Sequence, residues 1–217
     1  MTRAFPAFLA ACAFAACANA QTAADPASDA PEARPALAAG MTLPASYPEA
    51  LGTWRGVEDV NAWIGARFEY DFHRAARLSE TQRAQKGRVE IHRPEAFFAE
   101  PSGICVDLAR FAVETLRAVA PETRPRYLMI EFDPVVIKGN TLRRHWVTQV
   151  ERDGALYFFA DSKRPGHVAG PYASADAYVA EYARYRGRPI VAHRALDSYE
   201  RRMKARAEKT VRSEAAR

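Results

Sequence analysis

Pro101-Ser102-Gly103-Ile104-Cys105-Val106-Asp107-Leu108-Ala109 first breaks the chain and then restarts it as a helix. Pro and Gly interrupt regular structure, and Cys105, Leu108, Ala112, Leu116 and Val119 follow at helical spacing, with Phe111 beside them. Cys105 therefore falls in the first turn, on the stripe that faces a core. Pro121 ends the helix. A cysteine placed there feels the positive end of the helix dipole, and the first-turn amides lack helical partners. Both effects favour thiolate over thiol. The same amides can donate to an oxyanion, and Gly103 allows close backbone approach just ahead of the thiol.

Strands are expected downstream. Tyr127 to Phe132 is a short apolar run, and Val135 to Ile137 is read as part of a second strand or a loop. His145 to Val150 and Leu156 to Ala160 read as strands joined through Arg152-Asp153-Gly154, a hairpin signal. If that turn has three residues, with Gly154 in the left-handed position, Glu151 pairs with Ala155 and His145 lies opposite Asp161. A two-residue turn would offset the pair by one residue. With His145 beside Asp161, the order Cys105, His145, Asp161 supplies a thiol nucleophile, a base, and a carboxylate that orients the base. Taken singly, each residue has a plainer reading: a buried structural cysteine, a strand histidine, an acid at a strand end.

These segments, Ser102 to Ala109, His145-Trp146-Val147 and Ala160-Asp161-Ser162, resemble the transglutaminase-like superfamily of papain-related folds. Val60-Asn61-Ala62-Trp63-Ile64 with Phe68-Glu69-Tyr70-Asp71 is similar to the helix that precedes the family's catalytic segment. The resemblance covers about Trp54 to Tyr185. It implies an α+β fold, a papain/transglutaminase-like core with the nucleophile helix packed on an antiparallel sheet. It also implies Cys105 as nucleophile, His145 as base and Asp161 as orienting carboxylate. One departure is local: Trp146 follows His145 directly, where many members have one residue between them. The chain is also short, and no acidic cluster suggests calcium sites.

Ahead of this domain, Met1 to Ala20 carries one Arg, an apolar run and Ala18-Asn19-Ala20 before Gln21, the pattern of a secretory signal peptide. The run is shorter than the roughly 20 apolar residues of a membrane span, and no other segment approaches that length, so no transmembrane segment is expected. A lipid anchor at Cys17 is the alternative processing. Plain cleavage removes Cys12 and Cys17 and leaves Cys105 alone in a periplasmic or secreted protein, where an unpaired thiol is a liability unless buried or reactive. Residues 21–45, rich in Ala and Pro, read as a flexible linker. Residues 46–195 read as the folded domain and 196–217 as a charged helical tail.

Inside the domain, Val57 to Phe68 is expected to be helical, as is Pro94 to Phe98 as a short turn, and Ala175 to Arg186 behind a Ser174 cap. Arg74 to Arg88 reads as an exposed loop or loose helix. The whole chain carries 31 basic and 26 acidic residues, net +5. The charge is modest and spread out, which argues against a nucleic-acid partner. The sequence shows no zinc spacing and no phosphate loop, so no cofactor is expected.

The function expected from these residues is an exported cysteine-dependent peptidase or amidase acting on a protein or peptide substrate through a thioester. Transglutaminase-type crosslinking is the acyl-transfer alternative, and a non-catalytic binding module on the same fold is the alternative outside enzymes.

Overall fold

Helix α6, Cys105–Val119, forms the centre of the molecule, and ten of its fifteen residues are buried. The computed structural model describes residues 42–86, 89–163 and 166–200. The signal sequence expected over 1–20, most of the expected linker and residues 201–217 of the expected tail lie outside these residues. One side of α6 packs against helices α1 (Tyr47–Thr53), α2 (Val57–Arg67) and α5 (Pro94–Ala99). Trp54, Trp63, Phe97, Leu108, Phe111 and Leu116 fill that interface. The opposite side packs on a sheet through Cys105, Ala109 and Val113, residues one helical turn apart.

The sheet has five strands in the order β6-β5-β4-β3-β7, and every neighbouring pair is antiparallel. Strands β3 (Arg126–Ile137) and β4 (Asn140–Arg152) form a long hairpin. It closes at Lys138-Gly139, both with positive φ (48° and 75°), the pattern of a type I′ turn. Strand β5 (Ala155–Phe159) follows β4, β6 (Ala169–Tyr172) takes one edge, and β7 (Ile190–Leu196) takes the other. Helix α7, Ala175–Arg186, covers the face away from α6. Its Tyr178, Val179 and Tyr182 pack on Leu128, Ile130, Val147 and Phe158. Ser174 caps α7 at the Ala177 amide (3.2 Å), and Gly187 (φ 61°) ends it in the left-handed conformation. The architecture is thus mixed α+β, with seven helices and a five-stranded antiparallel sheet among the described residues.

Several expectations are corrected by this structure. Val135 to Ile137 continues β3 past an irregularity between Glu131 and Val135. Arg188 spans that irregularity, donating to the Asp133 carbonyl (2.9 Å) with its guanidinium 4.5 Å from the Phe132 ring centroid. Of the two readings offered for Arg74 to Arg88, loop or loose helix, the described part up to Lys86 is helical: α3 (Phe72–Leu78) runs into it and α4 (Glu80–Lys86) follows. Asp71 caps α3 through the Arg74 amide (2.8 Å). Side chains then pin α4 to the start of β4: Ser79 donates to Asn140 (3.0 Å) and the Thr141 amide to Thr81 (3.0 Å). Strands β6 and β7 were not expected.

The segment before α6 is fixed by a short parallel pair, β1 (Glu69–Tyr70) with β2 (Ser102–Gly103). Gly103 is required here by packing. A Cβ at this position would lie 3.0 Å from the Asp107 Cβ and 3.1 Å from the Phe97 ring. The close approach expected of this glycine therefore serves the Asp107 carboxylate and an aromatic ring of the core.

Candidate functional site

Asp107 organises the mouth of α6. It is fully buried at the third helical position and accepts from the Ile104 amide (3.1 Å), which closes the first turn. Arg74 forks onto it with two bonds, Nε to Oδ2 and Nη2 to Oδ1, both 2.7 Å. The His92 amide adds a fourth bond at 2.9 Å, and Arg74 also donates to the Glu90 carbonyl. One carboxylate thereby ties α3, the 90–92 segment and the start of α6 together. The arrangement is a bidentate, charge-assisted pair with its remaining lone pairs occupied.

Cys105 is the first residue of α6 and is present as a buried thiol. Ile104 at the cap makes no side-chain hydrogen bond to the first-turn amides. Cys105 packs beside Trp146, Met129 and Ala109 and forms part of the wall of a cavity of about 520 Å³. Helices α3 and α4 form one side of this cavity, and the tip of the β3–β4 hairpin forms the other. The ionisable side chains lining it besides Cys105 are Tyr70, Glu80, Arg83, Lys138, Arg143 and Arg144. No imidazole lines it among the described residues.

His145 is on the other face of the sheet. Side chains alternate along a strand, so neighbours point to opposite faces. Trp146 is buried with Cys105 on the α6 face, and Val147 is buried with Tyr178 and Tyr182 on the α7 face. His145 shares the Val147 face. It is fully buried, stacks on Tyr182 (centroids 5.4 Å apart, planes 22° apart), and its Nε2 lies 3.0 Å from the Tyr182 hydroxyl. The residue of β4 that shares the face of Trp146, two positions before it, is Arg144. Arg144 lines the Cys105 cavity and donates from Nε to Glu131 (3.2 Å).

The expected pairing of His145 with Asp161 is also altered. The β4–β5 turn has two residues, Asp153 (φ 52°) and Gly154 (φ 74°), and Arg152 pairs with Ala155. The strand pairing ends at Thr148 with Phe159. Ala160 (φ 57°) and Asp161 (φ 70°) then take left-handed conformations, unusual for residues other than glycine. The bend brings Asp161 back to His145 through its main chain, with the carbonyl 3.0 Å from Nε2. The structure thus joins His145 and Asp161 on the α7 face and places Cys105 on the α6 face, with the sheet between them.

The His145 region is a buried polar cluster. Arg186, almost fully buried, donates to the Tyr182 hydroxyl (3.3 Å), and Tyr178 donates to the Ser162 carbonyl (3.1 Å). Burial pushes the Tyr178 phenol well above its ordinary range, with Tyr182 and Asp161 adding to the shift, so it remains a donor. His167 lies within hydrogen-bond distance of Ser162 Oγ (Nδ1 to Oγ 3.2 Å). His193 contacts Asp176 (2.9 Å). Sequence reasoning missed Arg74, Arg144 and Tyr182. Arg144 carried a usable signal, its position two before Trp146.

Among the described residues no helix is long and apolar enough to cross a membrane. Nor does any group of three or more His, Cys, Asp or Glu among them stand where it could hold a metal ion. No protein-family model matches the chain, and no curated protein matches it.

Proposed function

We propose that this chain is a ligand-binding module on a papain/transglutaminase-like core, in which Cys105 lines the binding cavity without being the nucleophile of a Cys–His–Asp triad. The observation that carries this reading is the alternation of β4, which turns Arg144 to the Cys105 cavity and His145 to α7. General-base activation of a thiol needs the base within hydrogen-bond reach, directly or through one water. A guanidinium cannot take that proton, because it stays protonated at any working pH.

One observation favours the competing reading, an exported thiol hydrolase of amide bonds. Cys105 stands at a helix start and borders a cavity large enough for a substrate segment. That hydrolase would have to act without His145. An activated ester such as p-nitrophenyl acetate separates the two readings. The wild type and Cys105→Ala are expected to release nitrophenol at indistinguishable steady rates. A Cys105-dependent burst, with an acyl group found on Cys105 by mass spectrometry, would restore the hydrolase.

A further inference from the structure

We infer that the Cys105 cavity binds an amphipathic small molecule carrying a carboxylate, with Arg143 and Arg144 as its anion site. The inference rests on the binding reading above and gives it a ligand class. The cavity's volume, about 520 Å³, falls in the range of small-molecule sites. Phe72, Ala75, Leu78, Ile104 and Ile137 supply apolar wall. Phe72 is 64% exposed, with its ring 5.0 Å from Tyr70, and Val136 beside Ile137 is 70% exposed.

The charge of the lining selects the partner's polar end. Among the described residues Arg83, Lys138, Arg143 and Arg144 line the cavity with one acid, Glu80, and Glu131 is the further acid that pairs with Arg144. Four cations against two acids leave a positive excess. Glu80 is shared: it lies 3.6 Å from Arg143 Nε and 3.8 Å from Arg144 Nη2, within ion-pair range of both but too far for a good hydrogen bond to either. Arg143 Nε is buried with no hydrogen-bond acceptor among the described residues. The side chain as a whole is 39% exposed, so the rest of its guanidinium is open to a ligand, and a carboxylate matches its fork. Apolar wall, positive excess and an unfilled donor together specify an acyl-type body ending in a carboxylate.

Decanoate is a suitable probe, followed by calorimetry on the protein. It should bind at one site and slow alkylation of Cys105 in proportion to occupancy. Decanol tests the need for the charge and inorganic phosphate the need for the apolar body. Each should bind at least about tenfold more weakly, the loss of one charge-assisted contact or of the buried chain. Arg144→Gln and, separately, the more exposed Arg143→Gln should weaken decanoate about tenfold while the domain still folds, as far-UV circular dichroism and a cooperative unfolding transition would report. Arg144→Gln also removes the partner of Glu131, so its thermal midpoint should fall. Ala75→Phe, which fills the cavity from α3, should abolish binding. No decanoate binding, or binding that decanol matches and both arginine variants retain, would overturn the inference. Ester turnover that depends on Cys105 would instead overturn the binding reading and leave the carboxylate site standing.

Discussion

Asp107→Ala is expected to destabilise the domain by about 3–5 kcal/mol, because removing one partner of a buried ion pair leaves the other charge without compensation. In thermal unfolding this is a fall of about 10 °C for a domain of this size. The magnitude follows from the number of groups left behind: the buried Arg74 guanidinium and the amides of Ile104 and His92 all lose their acceptor. The first turn of α6 loses its closure as well, so Cys105 should alkylate faster in the folded variant. A loss below about 1 kcal/mol, the range of surface ion pairs, would show that water replaces the carboxylate and that the network does not hold the cavity wall.

Phe111→Ala is expected to lose about 3–5 kcal/mol by a different route, the creation of a cavity in a packed core. The Phe111 ring is fully buried, with its centroid 4.8 Å from Trp63 and 5.2 Å from Phe97, and Trp54 meets it edge-on at 6.2 Å. These contacts fasten α2 and α5 to α6. Urea denaturation monitored by tryptophan fluorescence gives the loss directly, and Trp54 and Trp63 report from the cavity itself. A loss under about 1 kcal/mol would mean that the aromatic cluster collapses onto the space.

Helices whose burial follows a 3.6-residue period were legible in the sequence. Residues 57–67, 105–119 and 175–186 were read close to their observed ends from the spacing of their apolar residues, helped at 175–186 by the Ser174 cap and at 105–119 by the flanking Pro and Gly. Helix α4 was not, since Glu80–Lys86 has no large apolar residue and is held by Ser79 and Thr81 reaching β4, some 60 residues away. Arg74 sits in a charged run that looks solvated, and it is buried only because Asp107 arrives from 33 residues later. Strand β6 contains Gly170 and Pro171, and β7 is an edge strand whose polar residues blur the alternation.

The candidate site was half legible. The helix-start cysteine follows from local rules, and so does the strand that carries His145. The triad assembly failed on two counts that local patterns do not fix. The register depended on one residue of turn length, and Asp153-Gly154, with both residues at positive φ, makes the two-residue turn. The sheet face that meets Cys105 depends on how α6 packs. That face carries Trp146, so the adjacent His145 is turned away.

The most direct test of this account is the pH dependence of iodoacetamide alkylation of Cys105 in the wild type, His145→Gln and Arg144→Gln. With the sheet between Cys105 and His145, His145→Gln should leave both the apparent thiol pKa and the limiting rate unchanged. Arg144→Gln should raise that pKa, because a cation on the Cys105 side favours the thiolate. The reverse pattern would contradict the account: slower labelling near neutral pH in folded His145→Gln, with Arg144→Gln unchanged, would place His145 beside the thiol.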